Sequence, residues 1–141
     1  RRIAPRLGRR EFVALVLARY EPESGAFTLA NAGLPDPYLI RADGSVSVVV
    51  AQGRRFPLGL GRDVAYAPTS GALAKGDRLL LISDGLPEAP LRAGGGPLGY
   101  ERFERLVAGA ASLDGLIEAV KAETEPALAD DWTALVLERR A

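Results

Sequence analysis

Apolar residues run together over strand lengths in the first half of the chain and recur at helical spacing only in the second half. Phe12 to Arg19 is a nearly continuous apolar run. The turn-forming cluster Glu21-Pro22-Glu23-Ser24-Gly25 follows it, then Ala26 to Asn31, and together they predict a hairpin. Tyr38 to Arg41 and Ser45 to Val50 flank Asp43-Gly44, a dipeptide suited to the positive φ values of a two-residue type I′ turn, and predict a second hairpin. Residues 52 to 62 read as a loop of glycines 53, 59 and 61 with Pro57, pinned by Phe56 and Leu58. Val64 to Ala67 is a candidate strand and Arg78 to Ser83 a short buried one.

Helical period begins with Phe103, Leu106, Val107 and Ala110 at i, i+3, i+4 and i+7. It repeats in Leu113, Leu116, Ile117 and Val120 behind an N-cap candidate, Ser112, and Pro126 closes this second helix. Trp132 to Glu138 returns to strand, and Trp132 reads most simply as core. Residues 1 to 11 are arginine-rich and broken by Pro5 and Gly8, so they read as a linker or the tail of a preceding helix. Antiparallel strands, a helical pair and one last strand predict an α+β fold with helices laid on a sheet or β-sandwich.

Composition changes this picture mainly by exclusion. A chain of 141 residues buries about 70% of its unfolded surface, enough for a core without staples. With 48% hydrophobic and 26% charged residues it reads as a folded globular domain. The 18 basic and 18 acidic residues cancel, so no global field favours nucleic acid or an anionic membrane. No apolar run approaches bilayer length and the basic start lacks an apolar segment behind it, which makes the cytoplasm the default location. The absence of methionine marks the chain as an expected fragment of a longer protein.

With no cysteine and no histidine, thiol nucleophiles, Ser-His-Asp triads and imidazole ligands are excluded. Chemistry then rests on carboxylates, a hard metal ion, or Lys, Tyr and Arg, and for an all-oxygen site Mg²⁺ or Mn²⁺ is the natural cofactor. Asp-Gly occurs at 43, 84 and 114, so the dipeptide alone signals little. Asp84 follows the apolar strand Leu79-Leu80-Leu81-Ile82, but Pro87 and Pro90 beyond it rule out a paired continuation. Spacing alone favours an Asx turn or helix N-cap there, and a solvated turn at Asp130-Asp131 before the last strand. The alternative is that the two strand ends bring Asp84 and Asp130 near one another as oxygen ligands. Glycines 53, 59 and 61 read as loop hinges. Arg54, Arg55 and Arg62 read as a solvated face before a phosphoprotein contact.

Several short motifs occur in one order. They are Asn31-Ala32-Gly33, Pro57-Leu58-Gly59-Leu60, Lys75-Gly76-Asp77-Arg78-Leu79-Leu80-Leu81-Ile82-Ser83-Asp84-Gly85, Glu88-Ala89, Leu98-Gly99-Tyr100-Glu101-Arg102-Phe103 and Asp130-Asp131-Trp132-Thr133. In this register, from about Phe12 to Arg139, the chain resembles the protein phosphatase 2C superfamily, in its bacterial stage II sporulation phosphatase and RsbU-like branch. The resemblance implies an antiparallel β-sandwich flanked by helices, with residues 12 to 141 as the C-terminal portion of the domain and its N-terminal part absent. It implies a binuclear Mg²⁺ or Mn²⁺ centre that activates water against phosphoserine or phosphothreonine, with Asp84 and Asp130 as metal ligands and Asp131 serving turn geometry. It also implies a phosphorylated regulatory protein, such as an anti-sigma-factor antagonist, as substrate.

Two departures stand out. Leu34 occupies a position where relatives commonly carry histidine. The family's N-terminal Asp-Gly motif, which supplies a bridging ligand, belongs upstream of residue 1, so these residues alone are expected to be inactive. The rival readings are a catalytically silent phosphatase-like module that docks a partner, and an unrelated all-β carrier in which Asp84 and Asp130 lie far apart.

Overall fold

Strand β1 (Leu15–Tyr20) turns back into β2 (Ala26–Ala32) through a tight turn in which the Gly25 N–H donates to the Glu21 carbonyl at 2.8 Å. This is the first expected hairpin. The computed structural model describes residues 11–60, 64–126 and 130–140. Within them follow β3 (Tyr38–Ile40), β4 (Val46–Val48), β5 (Thr69–Ala72), β6 (Arg78–Ile82), α1 (Tyr100–Gly109), α2 (Leu113–Glu123) and β7 (Ala134–Glu138). They form two antiparallel sheets, one ordered β1-β2-β5 and the other β4-β3-β6-β7.

The strand pleat decides how these sheets stack, because alternate side chains point to opposite faces. Leu39 and Leu79 project between the sheets and join Phe27, Leu29, Ala51 and Leu73 in one buried cluster. Their neighbours Tyr38, Ile40, Leu80 and Ile82 project the other way and meet Phe103 and Val107 of α1 and Leu116 and Val120 of α2. The four-stranded sheet is thus buried on both faces, between a second sheet and a pair of helices. This is the expected α+β sandwich with helices laid on it, and among the described residues both helices pack on the same side. The helices follow from their apolar spacing. At α2 the Ser112 Oγ accepts the Gly115 N–H at 3.1 Å, as the N-cap assignment required.

Three local expectations are corrected. The β3–β4 connection is not a two-residue type I′ turn. The Arg41 N–H donates to the Ser45 carbonyl at 2.8 Å and the Gly44 N–H to the Arg41 carbonyl at 2.9 Å, leaving a three-residue loop with Gly44 at φ 86°. Val64 to Ala67 is not a strand and makes only a single bridge, from Tyr66 to Gly53. Pro68 follows it without an N–H to donate, and pairing with β2 starts one residue later at Thr69. That next segment, β5, has no apolar alternation and was not foreseen. Gly71 fits because any Cβ there would lie 2.4 Å from the Phe27 ring. Trp132 is half-buried against the helix-side core. Residues 1–10 and Arg62 lie outside the described residues.

Two polar clamps hold the layers in register. Asp77, 2% exposed, accepts the Arg41 guanidinium at 2.8 Å and the main-chain N–H groups of Ala74 and Ala42 at 2.8 and 2.9 Å. Burial pushes the Asp77 carboxyl up, but the Arg41 hydrogen bond and those two main-chain donors outweigh it and hold the carboxyl below the usual range. From β7's end, Arg139 donates to the carbonyls of Ser24, Leu73 and Glu23, tying the two sheets together at one corner.

Candidate functional site

Strands β6 and β7 pair with Ile82 opposite Ala134, so the chain leaving β6 and the chain entering β7 emerge at the same end of the sheet. Ser83 fastens them there. Its N–H donates to the Thr133 carbonyl at 2.9 Å, its Oγ donates to the Asp131 carbonyl at 3.0 Å, and the same Oγ accepts the Thr133 N–H at 2.9 Å. Gly85 completes the contact, since a Cβ at this position would stand 2.6 Å from the Asp131 carbonyl oxygen. The geometry therefore brings the Ser83-Asp84-Gly85 and Asp130-Asp131-Trp132-Thr133 segments side by side.

Beyond Asp84 the chain folds inward rather than onward. Its carbonyl accepts the Glu88 N–H at 3.0 Å, while Leu86, Pro87 and Ala89 are buried. The Asp84 side chain is half-buried, and among the described residues its carboxylate accepts no hydrogen bond and forms no ion pair. An Asx turn or N-cap would occupy that carboxylate with a main-chain N–H, so neither explains it. Asp130 is exposed, and one of its oxygens accepts the Asp131 N–H at 2.7 Å. Asp131 is exposed as well. These are hard oxygen donors with free valences, the chemistry that suits Mg²⁺ or Mn²⁺. Among the described residues no group of three or more such side chains is arranged to hold a metal ion.

Asp84 also lines a cavity of about 670 Å³ whose other walls come from the loop after β2 and the start of α1. Asn31 builds the loop wall. Its amide Nδ2 donates to the Leu34 carbonyl at 2.8 Å and its Oδ1 accepts the Leu34 N–H at 3.0 Å. Leu34 is held through its main chain, so the side chain at that position is free to vary. Gly33, at φ 96°, presses on Pro57, which would meet a Cβ at 2.5 Å. The Asn31-Ala32-Gly33 and Pro57-Leu58-Gly59 motifs are thus two halves of one loop contact. Asp36 accepts the Ala51 N–H at 3.1 Å and pairs with Arg55 at 2.5 Å. Arg55, read from sequence as part of a solvated face, is exposed and also pairs with Asp36 at the cavity wall.

The α1 wall contributes Tyr100, Glu101 and Glu104, and the turn after Asp84 contributes Glu88. Tyr38 stands at the floor with its ring packed against Phe103 at 5.7 Å between centroids. Burial first, then the charges of Glu104, Tyr100 and Asp36, push its hydroxyl up to about 12, so it remains a neutral donor at neutral pH. Tyr100 is raised by burial and by the charges of Glu88 and Asp84. Of these residues only Asp84 was singled out from sequence. Glu88, Tyr100 and Glu101 fell within quoted motifs without a role, because their convergence with Asp36 and Tyr38 depends on helix packing that no local pattern records.

Comparison with known proteins gives this arrangement a family. No curated protein matches the chain. Among solved structures, the RsbU and RsbW domains of a Mycobacterium tuberculosis protein superpose with a TM-score of 0.74 at 32% identity, over 91% of this chain and 36% of that one. The SpoIIE phosphatase domain from Bacillus subtilis gives 0.69 at 20% identity, covering 91% and 59%. The SiaA-PP2C domain of Pseudomonas aeruginosa gives 0.73 at 21% identity, covering 89% and 51%. The latter two share the fold, and the chain spans 36% to 59% of the lengths of these three. The profile of the Stage II sporulation protein E (SpoIIE) family matches residues 1–140. The chain belongs to the Stage II sporulation protein E family, and its fold is that of the phosphatase 2C-like domains.

Proposed function

We propose that this chain is part of a metal-dependent serine/threonine protein phosphatase in which Asp84 and Asp130 hold Mg²⁺ or Mn²⁺. The observation that carries this reading is the Ser83 clamp. Its three hydrogen bonds set two acid-bearing segments at the same end of the β6–β7 pair against each other, with the Asp84 carboxylate uncommitted among the described residues. Relatives add support. RsbX has been crystallised with magnesium, and crystals of the Bacillus subtilis SpoIIE phosphatase domain have been presoaked with Mn.

A bound divalent ion would lower the pKa of water from 15.7 to about 7 to 9 and offset phosphate charge, which is why no histidine or cysteine is needed. The chain's own part is positional. Ser83 fixes the approach of the two segments, Gly85 lets them meet, and the buried Leu86-Pro87 turn keeps Asp84 at the surface end of the strand. The substrate we propose is a phosphorylated regulatory protein of the anti-sigma-factor-antagonist kind, acting in the cytoplasm. No helix among the described residues is long and apolar enough to cross a membrane.

The test is hydrolysis of a phosphoserine peptide by the full-length protein. Turnover with Mn²⁺ or Mg²⁺ that stops on chelation and returns on adding the ion supports the reading. Turnover indifferent to chelation, or none with either ion, contradicts it and leaves a silent docking module.

A further inference from the structure

We propose that the outer edge of β4, with the groove beside it, binds an extended segment of the phosphoprotein substrate as an added β-strand and leads its phosphoserine into the cavity at Asp84. The identity of the occupant rests on the phosphatase reading above. The mode of binding rests on the geometry of β4.

Strand β4 stands at the end of the β4-β3-β6-β7 sheet, and among the described residues no strand pairs with its other side. Its register fixes which main-chain groups that leaves open. The Arg41 N–H donates to the Ser45 carbonyl at 2.8 Å and the Val49 N–H to the Pro37 carbonyl at 2.7 Å. Hydrogen-bonded pairs alternate along an antiparallel ladder, so Leu39 opposite Ser47 is the pair between these two. Val46 and Val48 therefore turn their N–H and C=O groups away from β3. Proteins commonly blunt such an edge with proline or charge. The stretch from Ser45 to Val50 carries neither, and four of its residues are valine.

Where this edge runs is the second observation. A hollow of about 480 Å³ lies between Gly44, Ser45 and Val46 on one side and Glu101, Glu104 and Arg105 of α1 on the other. The Asp84 cavity continues it, sharing Glu101 and Glu104 and taking Val48 as its β4 wall. The groove thus follows β4 along its length and opens into the candidate site. Tyr38 pairs with Val48 on one side and with Leu80 on the other, and β4 runs parallel to β6. The end of β4 and Asp84, which follows β6, therefore share one end of the sheet.

A strand added to β4 lies three strand spacings from β6, about 14 Å. About four extended residues cross that distance, which sets the separation between the paired stretch and the phosphoserine. Main-chain pairing supplies affinity in this mode without demanding a particular sequence. A second copy of the chain fits less well, because α1 walls the groove and leaves room for one strand rather than a sheet.

An N-methyl scan read by titration calorimetry on the full-length protein tests this. The probe is a peptide of serine, threonine and glutamine, about fifteen residues long, whose central serine is the dephosphorylated product, so binding is read without turnover. Each flanking amide is methylated in turn. In one stretch about four residues from the central serine, alternate methylations should weaken binding about three- to tenfold and the intervening ones should not. Val46→Pro removes one outward N–H and no bond to β3, and should weaken the unmethylated peptide several-fold. The scan on the wild-type protein decides alone if that variant does not fold. A peptide that does not bind, losses that are equal at every position, or no losses overturn the proposal. So does a Val46→Pro protein that unfolds in urea as wild type does and binds as tightly. A dimer that Val46→Pro dissociates, with peptide binding unchanged, identifies a second copy at the edge and overturns it too. The alternating pattern in a protein that hydrolyses no phosphopeptide fails only the phosphatase reading. Hydrolysis of the phosphoserine form with one KM whichever amide is methylated fails only this proposal.

Discussion

Asp77 shows most clearly what a single residue does here that its motif does not disclose. In sequence it is one acid in Lys75-Gly76-Asp77-Arg78. In the fold it is a buried carboxylate that satisfies two main-chain N–H groups and the Arg41 guanidinium. The signal was a polar residue opening an apolar strand, but its partners lie more than thirty positions away and only the β3–β6 register brings them close. Asp77→Ala leaves two buried donors without acceptors and should cost roughly 2 to 4 kcal/mol in urea unfolding. The pH dependence has a fixed sign. The folded carboxyl is depressed, so its contribution is complete above the ordinary aspartate value of about 3.9 and is lost as pH falls through the lower folded value. The wild-type midpoint should therefore fall more steeply than that of Asp77→Asn on acidification below about pH 4. Parallel curves would show that Asp77 is not the acid-sensitive group.

Secondary-structure elements were legible where side-chain periodicity creates them and illegible where backbone pairing does. The helices and strands β2, β3, β6 and β7 follow apolar spacing and were anticipated to within a few residues. Strand β5 is held by its ladder to β2 and by small residues that accommodate Phe27, and neither leaves an apolar pattern. The β3–β4 turn failed for a related reason, since Asp43-Gly44 serves a three-residue loop as readily as a two-residue one, and the strand register decides between them. At the site, the serine before Asp84 went unread because its work is done across strands. Ser83→Ala removes an acceptor from the Thr133 N–H and a donor from the Asp131 carbonyl, and should destabilise by about 1 to 2 kcal/mol in urea unfolding. Ser83→Thr, which keeps the hydroxyl, should recover most of that loss. A Ser83→Ala midpoint equal to wild type would mean the clamp does not hold the two segments.

Across the whole molecule, a sheet buried on both faces explains why the site lies where it does. Strands β3 and β6 are anchored by apolar side chains on both sides, so the loops at their ends are the places where polar groups converge without disturbing a core. The order of elements was enough to anticipate the layers, whereas Asp84 and Asp130 were named as candidate metal ligands through the family resemblance, spacing alone having favoured turns there. It did not disclose the acidic cavity, whose walls come from three segments brought together only when α1 packs on the sheet.

The central claim is that Asp84 and Asp130 hold the catalytic metal, and the full-length protein's Mn²⁺-dependent hydrolysis of a phosphoserine peptide tests it most directly when measured across four single substitutions. Asp84→Asn and Asp130→Asn each remove one ligand charge at nearly constant size and should each lower kcat/KM by about a hundredfold or more, some 2.7 kcal/mol. Asp131→Asn should be mild. Asp43→Asn should be near wild type, because the asparagine carbonyl accepts the Ser45 N–H as the carboxylate does now at 2.9 Å. Full activity in Asp84→Asn, with metal dependence unchanged, would contradict the assignment.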